Sequence, residues 1–453
     1  MTIKTQTRSA SSTETLAARL QQNREGRAVG VYSICSANRH VLEAGMHQAR
    51  KDRGLLLIES TSNQVNQFGG YTGQTPPDFA QSVRALAAAN NLPEDRLVLG
   101  ADHLGPHVWK NESAEVAIEK ACVLARESVL AGYTKIHLDA SMHCADDPGD
   151  RRQPLPDEVV SERSARICKA AETAHDALSA NSPKPVYVIG TEVPVPGGEM
   201  QGSSAPEITK PQDLERTIEI AKRTFARHGL HSAWERTIAI VVQPGVEFGN
   251  DTVFAYDPDR TTALARFARE GWHGVYEAHS TDYQSATSLR KMVQDHFAIL
   301  KVGPWLTFAF REAVFALAAM EEEWFSGRNN VQLSRVRETL EQAMLRNPAH
   351  WRNYFHGDEN ALRLARKYSY SDRSRYYWPQ PEVSAALERL LANLASEKLP
   401  TSLISQFLPE QAAMLREGRL PFAPAKWIAS MIQAVLQLYS AACGEGAQET
   451  PVC

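Results

Sequence analysis

Eight times between residues 30 and 308 the chain repeats one phrase, a short apolar and β-branched run that breaks into polar residues and gives way to a stretch rich in Ala, Leu, Glu and Arg. The runs are GVYSICSAN from Gly30, LLLIESTSN from Leu55, RLVLGADHLGP from Arg96, KIHLDASMH from Lys135, PVYVIGTEVPVPGG from Pro185, RTIAIVVQPGVEFG from Arg236, GVYEAHSTDY from Gly274 and FAILKVGPWLTF from Phe297. An apolar run followed by helical composition is a βα unit. Runs that stay apolar, instead of alternating, belong to strands buried on both faces, as in a parallel sheet covered by helices. Eight such units within about 290 residues predict a (β/α)8 barrel. A doubly wound sheet is the rival, but no GxGxxG follows the first run. After about residue 307 the strand phrases stop. The expected organisation is a flexible polar N-terminus over 1–25, the barrel over 26–310, and a mainly helical C-terminal appendage over 311–453 packed on the barrel.

Composition narrows the class of function. With 453 residues, 43% of them hydrophobic, the chain can bury a large core. A formal charge of -4 and the lack of any basic run give no field to gather nucleic acid or anionic lipid. The six cysteines lie far apart with no CxxC pair, which fits reduced thiols better than a disulfide framework or a thiolate zinc site. No segment has a signal-peptide core or the length of a membrane span, so a cytoplasmic protein is expected.

In (β/α)8 barrels the active site is built where the strands end, so a strand ending in polar groups presents them to a ligand. Here all eight do: Ser33, Glu59 with Asn63, Asp102 with His103, Asp139, Glu192, Gln243, Glu277 with His279, and Lys301 fall at or just past the ends of the runs. A buried charge costs several kcal/mol unless it is paired or holds a metal, which makes a ring of them hard to explain by structure alone. His103 and His279 among carboxylates form a candidate site for a divalent cation of the zinc type, with Mn or Mg as alternatives and Glu192 or Glu277 as a further ligand. Of the nearby His107, His137 and His143, strand alternation assigns His137 to barrel packing or the helix layer. GTEVPVPGGE, from Gly190 to Glu199, reads as a stiff loop able to approach a ligand closely. Lys301 is a candidate Schiff-base amine, or a partner for a ring carboxylate or a phosphate. Ser280, Thr281 and Gly303 lie where such barrels hold phosphate.

The phrases SNQVNQFGGYTG, DHLGP, KIHLDASM, GTEVPVPGGE, VVQPGVEF, YEAHSTDYQ, HFAILKVGP and SDRSRYYWP span most of the chain. They resemble the GatZ/KbaZ-type family of D-tagatose-1,6-bisphosphate aldolase subunits. The resemblance implies a (β/α)8 fold and a place in galactitol, tagatose or N-acetylgalactosamine-type sugar catabolism. It also implies one of three activities: a tagatose-6-phosphate kinase, a non-catalytic subunit supporting a class II aldolase, or a ketohexose-phosphate 4-epimerase. No GxxxxGK[ST] loop supports the kinase. The expected function is a metal-dependent 4-epimerase acting on a ketohexose phosphate by retro-aldol chemistry, with the aldolase subunit as the alternative and a homo-oligomer left open. Asp102 is the expected base at the C4 hydroxyl. Glu59 and Asp139 are candidates for the second acid/base, with Glu192 also at the catalytic end. Ser33, Asn63, Gln243 and Lys301 are the expected substrate contacts beside the phosphate donors.

Overall fold

A parallel strand that is apolar on both faces needs a hydrogen-bonded neighbour on each side and cover above and below, and a closed barrel inside a helix layer supplies both. The computed structural model, which describes residues 10–190 and 206–445, has this architecture. Strands β1 (Val31–Ile34), β2 (Leu56–Thr61), β3 (Leu97–Leu104), β4 (Lys135–Leu138), β5 (Val186–Ile189), β6 (Thr237–Val241), β7 (Val275–Ala278) and β8 (Phe297–Val302) pair in chain order. All pairings are parallel, and β8 closes onto β1 with Ser33 opposite Lys301. Each of the eight apolar runs is thus one barrel strand. Two glycines allow the closest approaches on β3 and just after it. A Cβ at Gly100 would lie 2.6 Å from Cγ of Glu59, and one at Gly105 would lie 1.5 Å from the Asp139 carbonyl oxygen.

Within the segment expected to be a flexible tail over 1–25, Ser12–Arg24 is helical. Residues 1–9 lie outside the described residues, but α1 (Ser12–Arg24) is a helix opened by a Ser11/Glu14 capping box. Its Leu16 and Leu20 are buried against Val31, Leu55, Leu57, Val98 and Val186, closing the end of the barrel where the strands begin. The polar sequence concealed this because two leucines one helical turn apart suffice to cap so small an opening.

The outer layer begins with α2 (Arg39–Asp52), α3 (Pro76–Ala89), α4 (Ala114–Leu130), α5 (Asp157–Asp176), α6 (Pro211–Arg227), α7 (Pro258–Glu270) and α8 (Ala286–Gln294). Helix α9 (Pro304–Phe325) follows β8 and runs through the boundary expected at 310. Helices Val336–Arg346, Glu359–Tyr368 and Pro381–Ser396 and two shorter ones lead to α10 (Pro424–Ala442). That last helix packs against α2, α8, α9 and β1, and so takes the place in the outer layer between α8 and α2. Backbone bonds fix it there. The Cys443 carbonyl accepts from Gly30 N at 3.1 Å and Arg19 Nη2 at 2.7 Å, and Tyr439 donates its hydroxyl to the Thr281 carbonyl at 2.7 Å. Among the described residues no helix is long and apolar enough to cross a membrane.

Removing the plug tests this account of the barrel floor. Leu16→Ala should cost about 2–5 kcal/mol, the usual range for emptying a fully buried leucine site, read as a lowered midpoint in chemical denaturation. An unchanged midpoint would mean that α1 does not close the barrel.

Candidate active site

Side chains alternate along a strand, so Lys135 and His137 on β4 and Asp139 just beyond it share the inward face. They meet Glu59 from β2, Asp102 from β3, Glu277 from β7 and Lys301 from β8, all buried. Glu59 is the hub. Lys135 Nζ lies 2.8 and 2.9 Å from its two carboxylate oxygens, Lys301 Nζ lies 2.8 Å from Oε2, and Ser33 donates to Oε1 at 2.7 Å. Lys135 also reaches Glu277 Oε2 at 2.7 Å, and Lys301 reaches Asp102 Oδ1 at 2.9 Å. Burial alone would raise the Asp102 and Glu277 carboxyls. Facing cations outweigh it, His103 and Lys301 for Asp102 and the two lysines for Glu277, and hold both well below the usual carboxylate range. Burial would likewise lower Lys301, but Asp102, Glu59 and Glu277 hold its ammonium protonated. A protonated amine is no nucleophile, so the geometry favours the ion-pair role of Lys301 over the Schiff base.

Three histidine rings stand over this network with centroids 5.1–5.3 Å apart: His103, His137 and His279. Burial pushes the His279 imidazole down to about 4, which keeps it neutral at neutral pH, the form a metal ligand requires. His137 gives its Nδ1 to Asp102 Oδ1 at 2.8 Å, while its Nε2 is buried without a hydrogen-bond partner. An imidazole oriented by a carboxylate with the other nitrogen open is the arrangement of a metal-bound histidine. Asp102, His137, Glu277 and His279 each offer a ligand atom, all within 4.8 Å of one another. The charges fit as well. The four carboxylates Glu59, Asp102, Asp139 and Glu277 outnumber the two ammonium groups, Lys135 and Lys301, even with a His103 imidazolium counted beside Asp102 and Asp139, so the ring keeps a net negative charge that favours a cation. These residues therefore fit a divalent ion with mixed nitrogen and oxygen ligands.

The structure redistributes several expected roles. His137 enters the ring instead of packing elsewhere, as its spacing of two from Lys135 and Asp139 required. His103 lies with Nδ1 2.8 Å from Asp139 Oδ2 and Nε2 3.6 Å from Asp102 Oδ2, beside the four-residue set and not within it. Asp139, which also accepts from Ser141, orients His103. Glu59 is saturated by two lysines and a serine, which removes it as an acid/base candidate. Asp102, His103, His279, Ser280, Asn63, Lys301 and Gly303 line the open cleft above the ring, with Ser33 buried beneath. Thr281 turns away, donating to the Lys301 carbonyl at 2.6 Å, and Gln243 shapes its own loop by accepting from Gly245 N at 2.8 Å. Gly303 spends its N–H on Asp282 Oδ1 at 3.0 Å. Glu192 and the loop following Gly190 lie outside the described residues.

The cleft also contains residues that sequence reasoning missed. Asp282 accepts from Gly303 N and Trp305 N, and burial pushes its carboxyl up to about 6. Arg375 and Tyr376 come from the appendage, in the turn Arg373–Tyr376, and Tyr71 from the loop after β2. The SDRSRYYWP phrase carried the signal, but nothing in one chain's pattern says that residue 375 meets residue 102.

The family model described as D-tagatose-1,6-bisphosphate aldolase subunit GatZ/KbaZ-like matches residues 16–444. The crystal structure of a probable tagatose 6 phosphate kinase from Sinorhizobium meliloti 1021 is 42% identical and superposes with a TM-score of 0.82, over 91% of this chain and 100% of that one. A fructose-bisphosphate aldolase from Campylobacter jejuni, 14% identical, superposes with a TM-score of 0.42 over 85% of this chain and 93% of that one.

The purified protein should hold a divalent metal, measured by elemental analysis after gel filtration, and His137→Ala should lower metal affinity about 10-fold or more, the scale on which even supporting residues of metal sites act. Wild-type metal affinity in a folded His137→Ala variant would remove His137 from the ligand set.

Proposed function

The chain belongs to the D-tagatose-1,6-bisphosphate aldolase subunit GatZ/KbaZ-like family, and on that premise we propose that it interconverts D-tagatose 6-phosphate and D-fructose 6-phosphate at C4 by reversible carbon–carbon cleavage. The observation that carries the reading is the pairing of an ionised Asp102 with three histidines at the floor of an open cleft. A partner-stabilising subunit has no need of such a group of buried charges.

His137, Glu277 and His279 would hold a divalent cation, which when bound would supply Lewis-acid polarisation of the C2 carbonyl. Asp102 Oδ1 is committed to His137 and Lys301, and the carboxylate takes the C4 hydroxyl proton. The C3–C4 bond then breaks. Its electron pair passes into the C2–C3 enediolate of the C1–C3 half, and C4 becomes the aldehyde of the C4–C6 half, which bears the phosphate. The Lys301 ammonium beside Asp102 offsets the developing negative charge. After the aldehyde turns, the enediolate re-adds to its other face, the oxygen at C4 recovers a proton from His103, and the proton held by Asp102 passes to His103, whose Nε2 lies 3.6 Å from Asp102 Oδ2, so both groups are restored. That imidazole is suited to donating it, because Asp102 and Asp139 raise its pKa against the lowering effect of burial. Asp139 thus acts through His103 in this reading.

The family description as an aldolase subunit favours a second reading, in which the chain supports a class II aldolase and turns over nothing alone. One experiment separates the two. The protein, supplied with Zn, Mn or Mg, is incubated with tagatose 6-phosphate and the products are followed by NMR. Fructose 6-phosphate should accumulate, and Asp102→Asn should slow it by about 10²-fold or more while the circular dichroism spectrum is retained. No epimer with any of the three metals, together with a gain in activity of a co-expressed class II aldolase, would decide for the subunit.

A further inference from the structure

The usual anion site of a barrel, the loops after the last two strands and the N-terminus of the following helix, is already filled in this protein. Asp282 occupies the start of α9, taking the N–H groups of Gly303 at 3.0 Å and Trp305 at 2.8 Å, and Pro304 between them has none. Thr281 is turned to the Lys301 carbonyl. A substrate phosphate must find its counter-charge elsewhere in the cleft. Of the two long basic side chains lining it, Lys301 is held by Glu59 and Asp102. The other is Arg375, and among the described residues no carboxylate forms an ion pair with it. Its guanidinium donates to the carbonyls of Ser371 and Asp372 and to the Tyr376 hydroxyl at 3.0 Å, all uncharged acceptors.

That guanidinium is also held in place. Tyr376 stacks on His350 with centroids 4.6 Å apart and meets the edge of Tyr71 from the barrel at 4.7 Å. The segment before it is tied to the barrel loops by Tyr283, which donates to the Tyr370 carbonyl at 2.6 Å, and by Tyr370 N, which donates to Asn250 O at 2.9 Å. Asp372 turns the chain in the left-handed region, φ 39°. Asn63, Gln64 and Ser280 line the same cleft and offer uncharged donors. A fixed guanidinium that no carboxylate pairs directly, with Asp372 and Asp282 acting on it only through space, matches a phosphate monoester, an anion that Arg recognises through a planar pair of N–H groups.

We infer that Arg375, supplied by the appendage to the barrel mouth, anchors the terminal phosphate of the ketohexose phosphate, an inference that rests on the substrate class proposed above. The anchor also suits the proposed cleavage. The aldehyde half carries the phosphate, so a group that grips the phosphate keeps that half on the protein while it turns its other face.

The test measures binding separately from turnover. Isothermal titration or ligand-observed NMR on the metal-loaded protein compares a ketohexose 6-phosphate, the same sugar without phosphate, and inorganic phosphate, for wild type, Arg375→Gln and Arg375→Lys. Wild type should prefer the phosphorylated sugar, and Arg375→Gln should weaken that sugar and inorganic phosphate by about 10- to 100-fold, the worth of a lost charged hydrogen bond, while leaving the unphosphorylated sugar unchanged. Arg375→Lys should recover part of the loss. This pattern supports the anchor even if no epimer ever forms, in which case only the epimerase reading falls. Wild-type preference retained in Arg375→Gln would overturn the anchor, as would a wild type that binds neither phosphate compound, and in a protein that turns over so would an unchanged KM in Arg375→Gln.

Discussion

Glu59 receives two lysine ammonium groups and a serine hydroxyl inside the barrel, at full burial, and the chemistry of the mouth is arranged around that contact. Taking several charges out of water costs several kcal/mol per ion, and only dense mutual pairing recovers it. The pairing reaches through Lys135 to Glu277 and through Lys301 to Asp102, so the strands that carry these residues share one ionic layer above the apolar floor. A change of side chain at any of these positions alters the field at the others. The surplus of carboxylate over cation then gives the histidines a use: a net negative ring favours a bound cation, and His137 has a nitrogen without a hydrogen-bond partner to offer it.

The same layer explains which polar groups can react. Residues saturated by the network, Glu59 and Lys135 above all, set the electrostatics. Residues at its upper edge, Asp102, His103, His279 and Lys301, keep a face toward the cleft. The appendage completes the cleft from above with Arg375 and Tyr376, so the barrel and its C-terminal extension form one functional unit.

Much of this was legible in the sequence because strands and their ends are local. The eight apolar runs predicted the barrel, and of the polar residues ending them the structure brings Asp102, His103, Glu277, His279 and Lys301 together. The features that escaped depend on partners distant in the chain. Leu16 and Leu20 sit in a polar segment and gain meaning only from the strand starts they cover. Thr281 and Gly303 lie at the right place, yet their donors are taken by β8 and by Asp282. His137 was the one avoidable miss: Lys135, His137 and Asp139 are spaced by two, so accepting Asp139 into the mouth entailed accepting His137. Arg375 comes after β8 by a long helical excursion, and no periodicity links the two.

The placement of α10 bears on how the protein is made. Strand β8 ends at Val302, but the helix that covers the seam between α8 and α2 begins only at Pro424, and its cap is bonded to Gly30 and Arg19. A chain leaving the ribosome from its N-terminus therefore has all eight strands available long before the last part of their cover exists. Until then the apolar flanks of β1 and α2 stay open to solvent, and contacts between residues near 30 and residues near 443 are among the last to form. Nascent chains of this fold pass through a stage in which a finished sheet has an unfinished coat, the interval in which chaperone capture or aggregation would compete with native closure.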